Sequence, residues 1–179
     1  NSPETPYKNT NYNKETLASL IVNGGMSVNG TIFGHRSKNA IWNDYADFVE
    51  VEKDVEEIFG KVYVVNENGK AFIANKRAQK GAIGICSDTY GFITGENKKL
   101  NQIPIGIGGF VLALVDKIYL PGTELVSDKF GNLTKANLFE KIFKRESIIG
   151  TFYKKEEASE WNGVKVNNKN CRRHWVKVR

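Results

Sequence analysis

A mainly β fold follows from three features of the sequence: a tight-turn hairpin, a series of short apolar runs punctuated by glycine, and two alternating stretches near the C-terminus. The hairpin is Lys61–Ala74, where Asn66-Glu67-Asn68-Gly69 separates two β-rich runs and the Asn-Gly pair provides the positive φ of a tight turn. The glycine-spaced runs are Ala82–Ser87, Gly91–Thr94 and Ile103–Tyr119, and the alternating stretches are Gly163–Val166 and His174–Arg179. At 179 residues the chain is long enough for one compact core of short hairpins, with one or two short helices and an extended N-terminal arm.

Each element has its own local reason. Residues 1–14 hold two prolines and four asparagines with almost no aliphatic carbon, so they predict an arm that lies on something else. Lys14–Val22 places Leu17, Leu20 and Ile21 at helical spacing and stops at Asn23-Gly24-Gly25. The division drawn here is 1–25 for arm and helix and 26–179 for the β core with a basic tail. Met26–Phe33 alternates around Gly30 as a bulged strand does, and Gly34–Asn39 is a polar loop carrying His35, Arg36 and Lys38. Trp42–Glu50 interleaves Trp42, Tyr45, Phe48 and Val49 with Asp44, Asp47 and Glu50. Beyond the long apolar strand, Leu120-Pro121-Gly122 turns the chain into a hairpin over Thr123–Ala136. Asn137–Arg145 carries Leu138, Phe139, Ile142 and Phe143 and predicts a short amphipathic helix, followed by a strand over Ser147–Tyr153.

Charge is distributed unevenly. The chain has 26 lysines and arginines against 20 acids, a net charge of +6. Six of those bases (Lys165, Lys169, Arg172, Arg173, Lys177 and Arg179) lie in residues 163–179, which contain no acid, leaving a body balanced at 20 against 20. A polyanion is therefore not required as a partner, and nucleic acid is not expected. Asp44–Glu57 holds seven acids with Lys53 as its one base, a natural electrostatic counterpart for the tail. Cys86 and Cys171 lie far apart without a second ligand at metal spacing, so free thiols and no metal site are expected. The polar first fourteen residues do not read as a secretory leader, and no apolar run has the length of a membrane span, so a soluble protein without a membrane partner is expected.

Three motifs invite chemical readings. Gly106-Ile107-Gly108-Gly109 superficially suggests a dinucleotide loop but lacks a surrounding βαβ unit, and reads as a glycine-kinked strand in a curved sheet. Asp44, Asp47 and Glu50 are spaced i, i+3, i+6: on a helix they form one stripe, and on a strand Asp44 and Glu50 share a face opposite Asp47. They are either a solvated acidic edge or a carboxylate pair that raises one pKa for acid/base work. Arg172-Arg173-His174-Trp175 could stack on bases or sugars, or pack and pair internally. Neither His35 nor His174 sits near a nucleophile elbow, which argues against a Ser-His-Asp triad.

The order of these motifs is similar to that of a known family. Asp44-Tyr-Ala-Asp-Phe-Val-Glu50, the hairpin ending in Asn75-Lys76-Arg77, the strand Ala82-Ile-Gly-Ile-Cys-Ser87, Pro104-Ile-Gly-Ile-Gly-Gly109 and Pro121-Gly-Thr-Glu-Leu-Val126 follow one another as in the self-cleaving intramolecular chaperone domains at the C-termini of bacteriophage tail spikes. Within that group the chain resembles the preneck appendage proteins of small Bacillus podophages, which are glutamic-type autopeptidases. The resemblance spans roughly residues 26–153.

The resemblance implies a homotrimer that nucleates a preceding triple-stranded β-helical spike region and then cuts itself away, acting in the host cytoplasm during virion assembly. It implies a cut near Asn1, with Glu4 as general acid or base at the scissile bond and Asp44, Asp47 and Glu50 as the alternative carboxylates. Related chains carry aspartate at the new terminus; Asn1 departs from that pattern while Glu4 matches it. No cofactor is required by such a reaction, although ATP is associated with such appendages, and His35, Arg36 and Lys38 would be its phosphate contacts. A trimerising cap that does not cut, and a carbohydrate- or nucleic-acid-binding β domain relying on Trp175, are the other readings.

Overall fold

A computed structural model describes residues 44–95, 101–158, 160–161, 164–165 and 173–179, all within a compact unit spanning residues 37–179. The arm, the helix over 14–22, the strand over 26–33 and the loop with His35, Arg36 and Lys38 lie outside the described residues, as do Asn1, Glu4 and Cys171.

The expected β fold is present. The strands are β1 (Asp44–Glu50), β2 (Val62–Val65), β3 (Ala71–Ile73), β4 (Ala82–Cys86), β5 (Tyr90–Thr94), β6 (Gln102–Leu114), β7 (Glu124–Ser127), β8 (Leu133–Lys135), β9 (Gly150–Lys154), β10 (Glu160–Trp161), β11 (Val164–Lys165) and β12 (Arg173–Val178). All but β10 and β11, which pair with each other, join one sheet in the order β3-β2-β4-β6-β12-β9-β7-β8, with β1 paired to β5 and β6. Every pairing is antiparallel except that of β1 with β5.

The two predicted hairpins form where turn chemistry places them. Gly69 has φ +73° and Asn66 closes its turn by accepting the Asn68 and Lys70 N–H groups through Oδ1. In the second hairpin, Asp128 Oδ1 accepts from the Phe130 and Asn132 N–H groups and Gly131 takes φ +74°. The most apolar run becomes β6, which ends at Leu114 rather than Tyr119. Just past it, Asp116 turns outward to accept hydrogen bonds from Tyr119 and Thr134 at 2.7 and 2.9 Å.

The sheet curls until its two ends meet. The Val62 N–H donates to the Gly131 carbonyl at 2.8 Å and the Ala78 N–H to the Ser127 carbonyl at 2.9 Å, bringing the β7–β8 hairpin against β2 and β3. Val62, Val64, Ile85, Val111, Leu125, Leu133, Phe152 and Val176 fill the inside of the curl. A second cluster of Tyr63, Cys86, Ile103 and Ile105 lies under the 51–59 segment. Strands covered on both faces have no polar side to show, which is why Val62, Tyr63 and Val64 are consecutive and all fully buried.

The helix predicted after the second hairpin forms as α1 (Leu138–Phe143), followed by one 3-10 turn at Arg145–Ser147. Its orientation is a surprise. Leu138, Phe139, Ile142 and Phe143 are 59 to 74% exposed, while Glu140 is buried. The inward tie is polar: Glu140 forms a capping box with Asn137 and is gripped by Arg77 through Nε and Nη2 at 2.7 and 2.9 Å. Amphipathic spacing places those apolar side chains on a shared stripe, but the stripe does not face this chain's core. Among the described residues no helix is long and apolar enough to cross a membrane.

Candidate functional site

Strand β1 carries the three carboxylates singled out above, and the strand geometry separates them. At a rise of about 3.3 Å per residue, Asp44 and Glu50 are about 20 Å apart along the strand, too far to share a proton. Glu50 pairs with Lys70 at 3.3 Å on the surface. Asp47 is half-buried and accepts a hydrogen bond from Thr94 at 3.0 Å. The trio is therefore neither a helical stripe nor a catalytic pair.

Asp44 stands apart. It is fully buried where β1 enters the sheet, opposite Tyr90 of β5 and Gly109 of β6. Thr89 donates to its Oδ1 at 3.1 Å, and the Ser87 hydroxyl lies 3.2 Å from that of Thr89 and also takes the Thr89 N–H. Its Oδ2 is buried without a hydrogen-bond partner. Gly106 makes the room, because a Cβ there would come within 2.8 Å of Oδ2 and of Val111. Burial pushes the Asp44 carboxyl up to about 6; the Ser87 and Thr89 hydroxyls pull it partly back, Asp88 raises it and Arg173 lowers it.

The residue that closes this cluster comes from the last strand. Arg173 is 3% exposed and forms a two-pronged ion pair with Asp88, its Nη1 donating to Oδ2 at 2.9 Å and its Nη2 to Oδ1. Its Nε and Nη2 also donate to the Leu112 carbonyl at 3.1 and 3.0 Å. The basic tail therefore does reach Asp44 with its field, through Arg173, but its direct partners lie elsewhere: Asp88 for Arg173 and Glu124 for Arg179, at 2.8 Å.

Asp88 and Thr89 carry no sequence signal beyond following an apolar strand, and Asp88 lies 85 residues from its partner. Only the buried setting of Arg173 reveals the pair. Trp175 is 5% exposed, packs on Leu112 and Phe110, and donates its Nε1–H to Glu156, so it offers no open ring for base stacking. His174 is likewise buried and accepts the Glu156 N–H at Nδ1. Gly106 and its neighbours do form a kinked strand, with a bulge between Tyr45 and Ala46 opposite them and Gly109 at φ +91°.

Chemically, the cluster holds one buried carboxyl that can exchange a proton near pH 6 and two hydroxyls. The neighbouring Cys86 is not an activated thiol: burial pushes it far up, with Glu57 and Asp88 adding to the effect. Among the described residues no set of His, Cys, Asp and Glu is arranged to hold a metal ion. Two concavities lie away from Asp44. One is around Ala82–Gly84 with Ile148, Ile149 and Val178, and the other is around Val51–Glu57 with Asn101–Ile103.

No protein-family model and no curated protein matches the chain. Among solved structures, the crystal structure of the pre-mature bacteriophage phi29 gene product 12 is similar, with a TM-score of 0.52 at 15% sequence identity. The likeness is one of fold. It covers 88% of this chain but 23% of that one, so this chain spans less than a quarter of that protein's length.

Proposed function

We propose that this chain is the assembly module of a bacteriophage tail appendage: it associates as a homotrimer, aligns a preceding β-helical region of a longer chain, and is then separated from it by a single self-cleavage. The observation that carries this reading is the likeness in fold to the phi29 protein over 88% of the chain, together with the ordered motifs from Asp44 to Val126. The physics of such a module is straightforward. Register in a long intertwined β structure is slow to find, because non-local pairs must close before they are rewarded. A domain that trimerises first holds three strands at high local concentration, and removing it afterwards leaves the spike kinetically trapped.

In this proposal Glu4 supplies acid/base assistance at a bond adjoining Asn1. A bond held in place needs little further machinery, since oriented intramolecular reactions reach effective molarities of about 10⁵ to 10⁸ M. Asp44 is the alternative carboxyl among the described residues, while Asp47 and Glu50 are engaged by Thr94 and Lys70. ATP, if it is bound, would meet His35, Arg36 and Lys38, and no step depends on it. A second reading, a trimerising cap that does not cut, draws support from the inert Cys86 and from the enclosure of Asp44.

The test is expression of this chain fused behind its spike region, followed by intact-mass measurement. Two fragments are expected, with the cut placed near Asn1, and Glu4→Gln should leave one uncut chain. Normal processing of Glu4→Gln would overturn the assignment of Glu4, and an uncut parent chain would favour the cap.

A further inference from the structure

Helix α1 is unusual in what it leaves uncovered. Leu138, Phe139, Ile142 and Phe143 make up four of its six residues and all stand in solvent, with the Phe139 and Phe143 rings packed on each other at 5.0 Å between centroids. A helix this short gains little from propensity and must be held by packing, yet its ties to the rest of the described chain are polar, Glu140 on Arg77 and Lys141 on Glu124. At its C-terminal end Lys144 and Arg145 form no ion pair among the described residues. The exposed face is thus apolar with a cationic end.

A surface of complementary character lies elsewhere on the same unit. The concavity of about 520 Å³ beside the start of β6 is lined by Val51, Val55 and Ile103 together with Glu52, Asp54 and Glu57, three acids against the single base Lys53. Gln102, also in the wall, has a buried Oε1 without a donor. Burial and the like charge of Asp88 push the Glu57 carboxyl up, so a cation brought beside it would be favourably placed. Within one chain the two surfaces sit at opposite ends of β3. Val51 bridges to Ala71 at its start, and Arg77, which holds α1, follows its end.

We infer that α1 of one copy docks into the Val51–Glu57 groove of the next, its Phe139–Phe143 pair against the apolar wall and Lys144 and Arg145 against the acidic rim. The occupant is a second copy of this chain, because the helix end and the groove rim carry opposite net charge and the apolar face of the helix needs cover. Such a contact is heterologous, and heterologous contacts that close make rings. Each copy then uses both surfaces, which suits a stable interface of on the order of 800 Å² per partner better than the helix patch alone. This inference rests on the trimer reading above and assigns the surfaces that would make it.

Sedimentation velocity of the chain across a concentration series tests it. The wild type is expected to assemble, and Phe143→Asp to weaken association on the order of a hundredfold by placing a charge in the apolar contact. Arg145→Glu should weaken it roughly three- to tenfold, and adding Glu57→Lys to that variant should restore it. Circular dichroism should show each variant folded, since all three side chains are exposed. A wild-type trimer indifferent to Phe143→Asp, or an Arg145→Glu defect that Glu57→Lys does not repair, would overturn the docking while leaving the trimer intact. A wild type that stays monomeric at every concentration would overturn both.

Discussion

Two regions of the described chain break the usual inside-outside rule in opposite directions. Around Asp44 the molecule seals charge inside: the Asp44 carboxyl and Arg173 are buried, with the half-buried Asp88 beside them, behind β1, β6 and β12. Around α1 it leaves hydrophobic carbon outside: four large apolar side chains are exposed and a glutamate is buried in their place. The first violation is largely compensated within the chain, by a two-pronged ion pair and three further hydrogen bonds from Thr89 and Arg173. The second has no compensation among the described residues. The difference separates a structural lock from a surface built to be covered.

That contrast can be broken at several points. The largest effect is expected at Arg173. Arg173→Leu leaves the half-buried Asp88 without its partner, which should cost about 3 kcal/mol, the lower end of the range for losing one member of a buried pair, readable as a fall in the midpoint of urea unfolding. A shift below 1 kcal/mol would mean that the pair is not part of the lock.

Asp44 comes next. Its carboxyl is raised to about 6 in the folded chain from an ordinary value of 3.8, so between these values the folded state holds more protons than the unfolded one. Stability contributed by the protonated form is therefore complete below about pH 4 and lost as pH rises toward 6, by about 3 kcal/mol. Thermal unfolding across this range should lose that slope in Asp44→Asn; an unchanged slope would show that another group carries it.

Glu140→Ala should cost about 2 kcal/mol. It removes the capping box and leaves Arg77 without its carboxylate, and denaturant unfolding at low protein concentration measures it. Burial alone would raise the Glu140 carboxyl, but Arg77 and the Asn137 N–H more than offset this and hold it below its usual range. That cost should accordingly shrink as the group is protonated in acid. The smallest effect is expected on the helix face: Phe143→Ser should change the stability of the monomer by less than about 0.5 kcal/mol. A larger loss would mean that this face is already covered within one chain.

Much of the β architecture is legible from local chemistry. Asn68-Gly69 and the Asp128–Asn132 turn place both hairpins, and the glycines of β6 mark a bend that the sheet does make. The run from Lys61 reads as a strand and is one, while its burial on both faces at Val62–Val64 is visible only in the structure. The carboxylates of β1 are harder to read. Their spacing permits a helical stripe or a strand, and only the strand puts Asp44 and Glu50 at its two ends.

Local chemistry along the chain is enough to identify a β protein, where its turns fall, which residues in α1 share a stripe, and that the charge excess is confined to the tail. These are properties of neighbours along the chain, where backbone preference and side-chain periodicity act over a few residues. Tertiary structure alone decided that β12 inserts between β6 and β9, that Arg173 meets Asp88 beside Asp44, and that α1 turns its apolar stripe outward. Periodicity names the members of a face without saying what the face meets. A burial-driven pKa or an ion pair across 85 residues exists only once the sheet has closed around it.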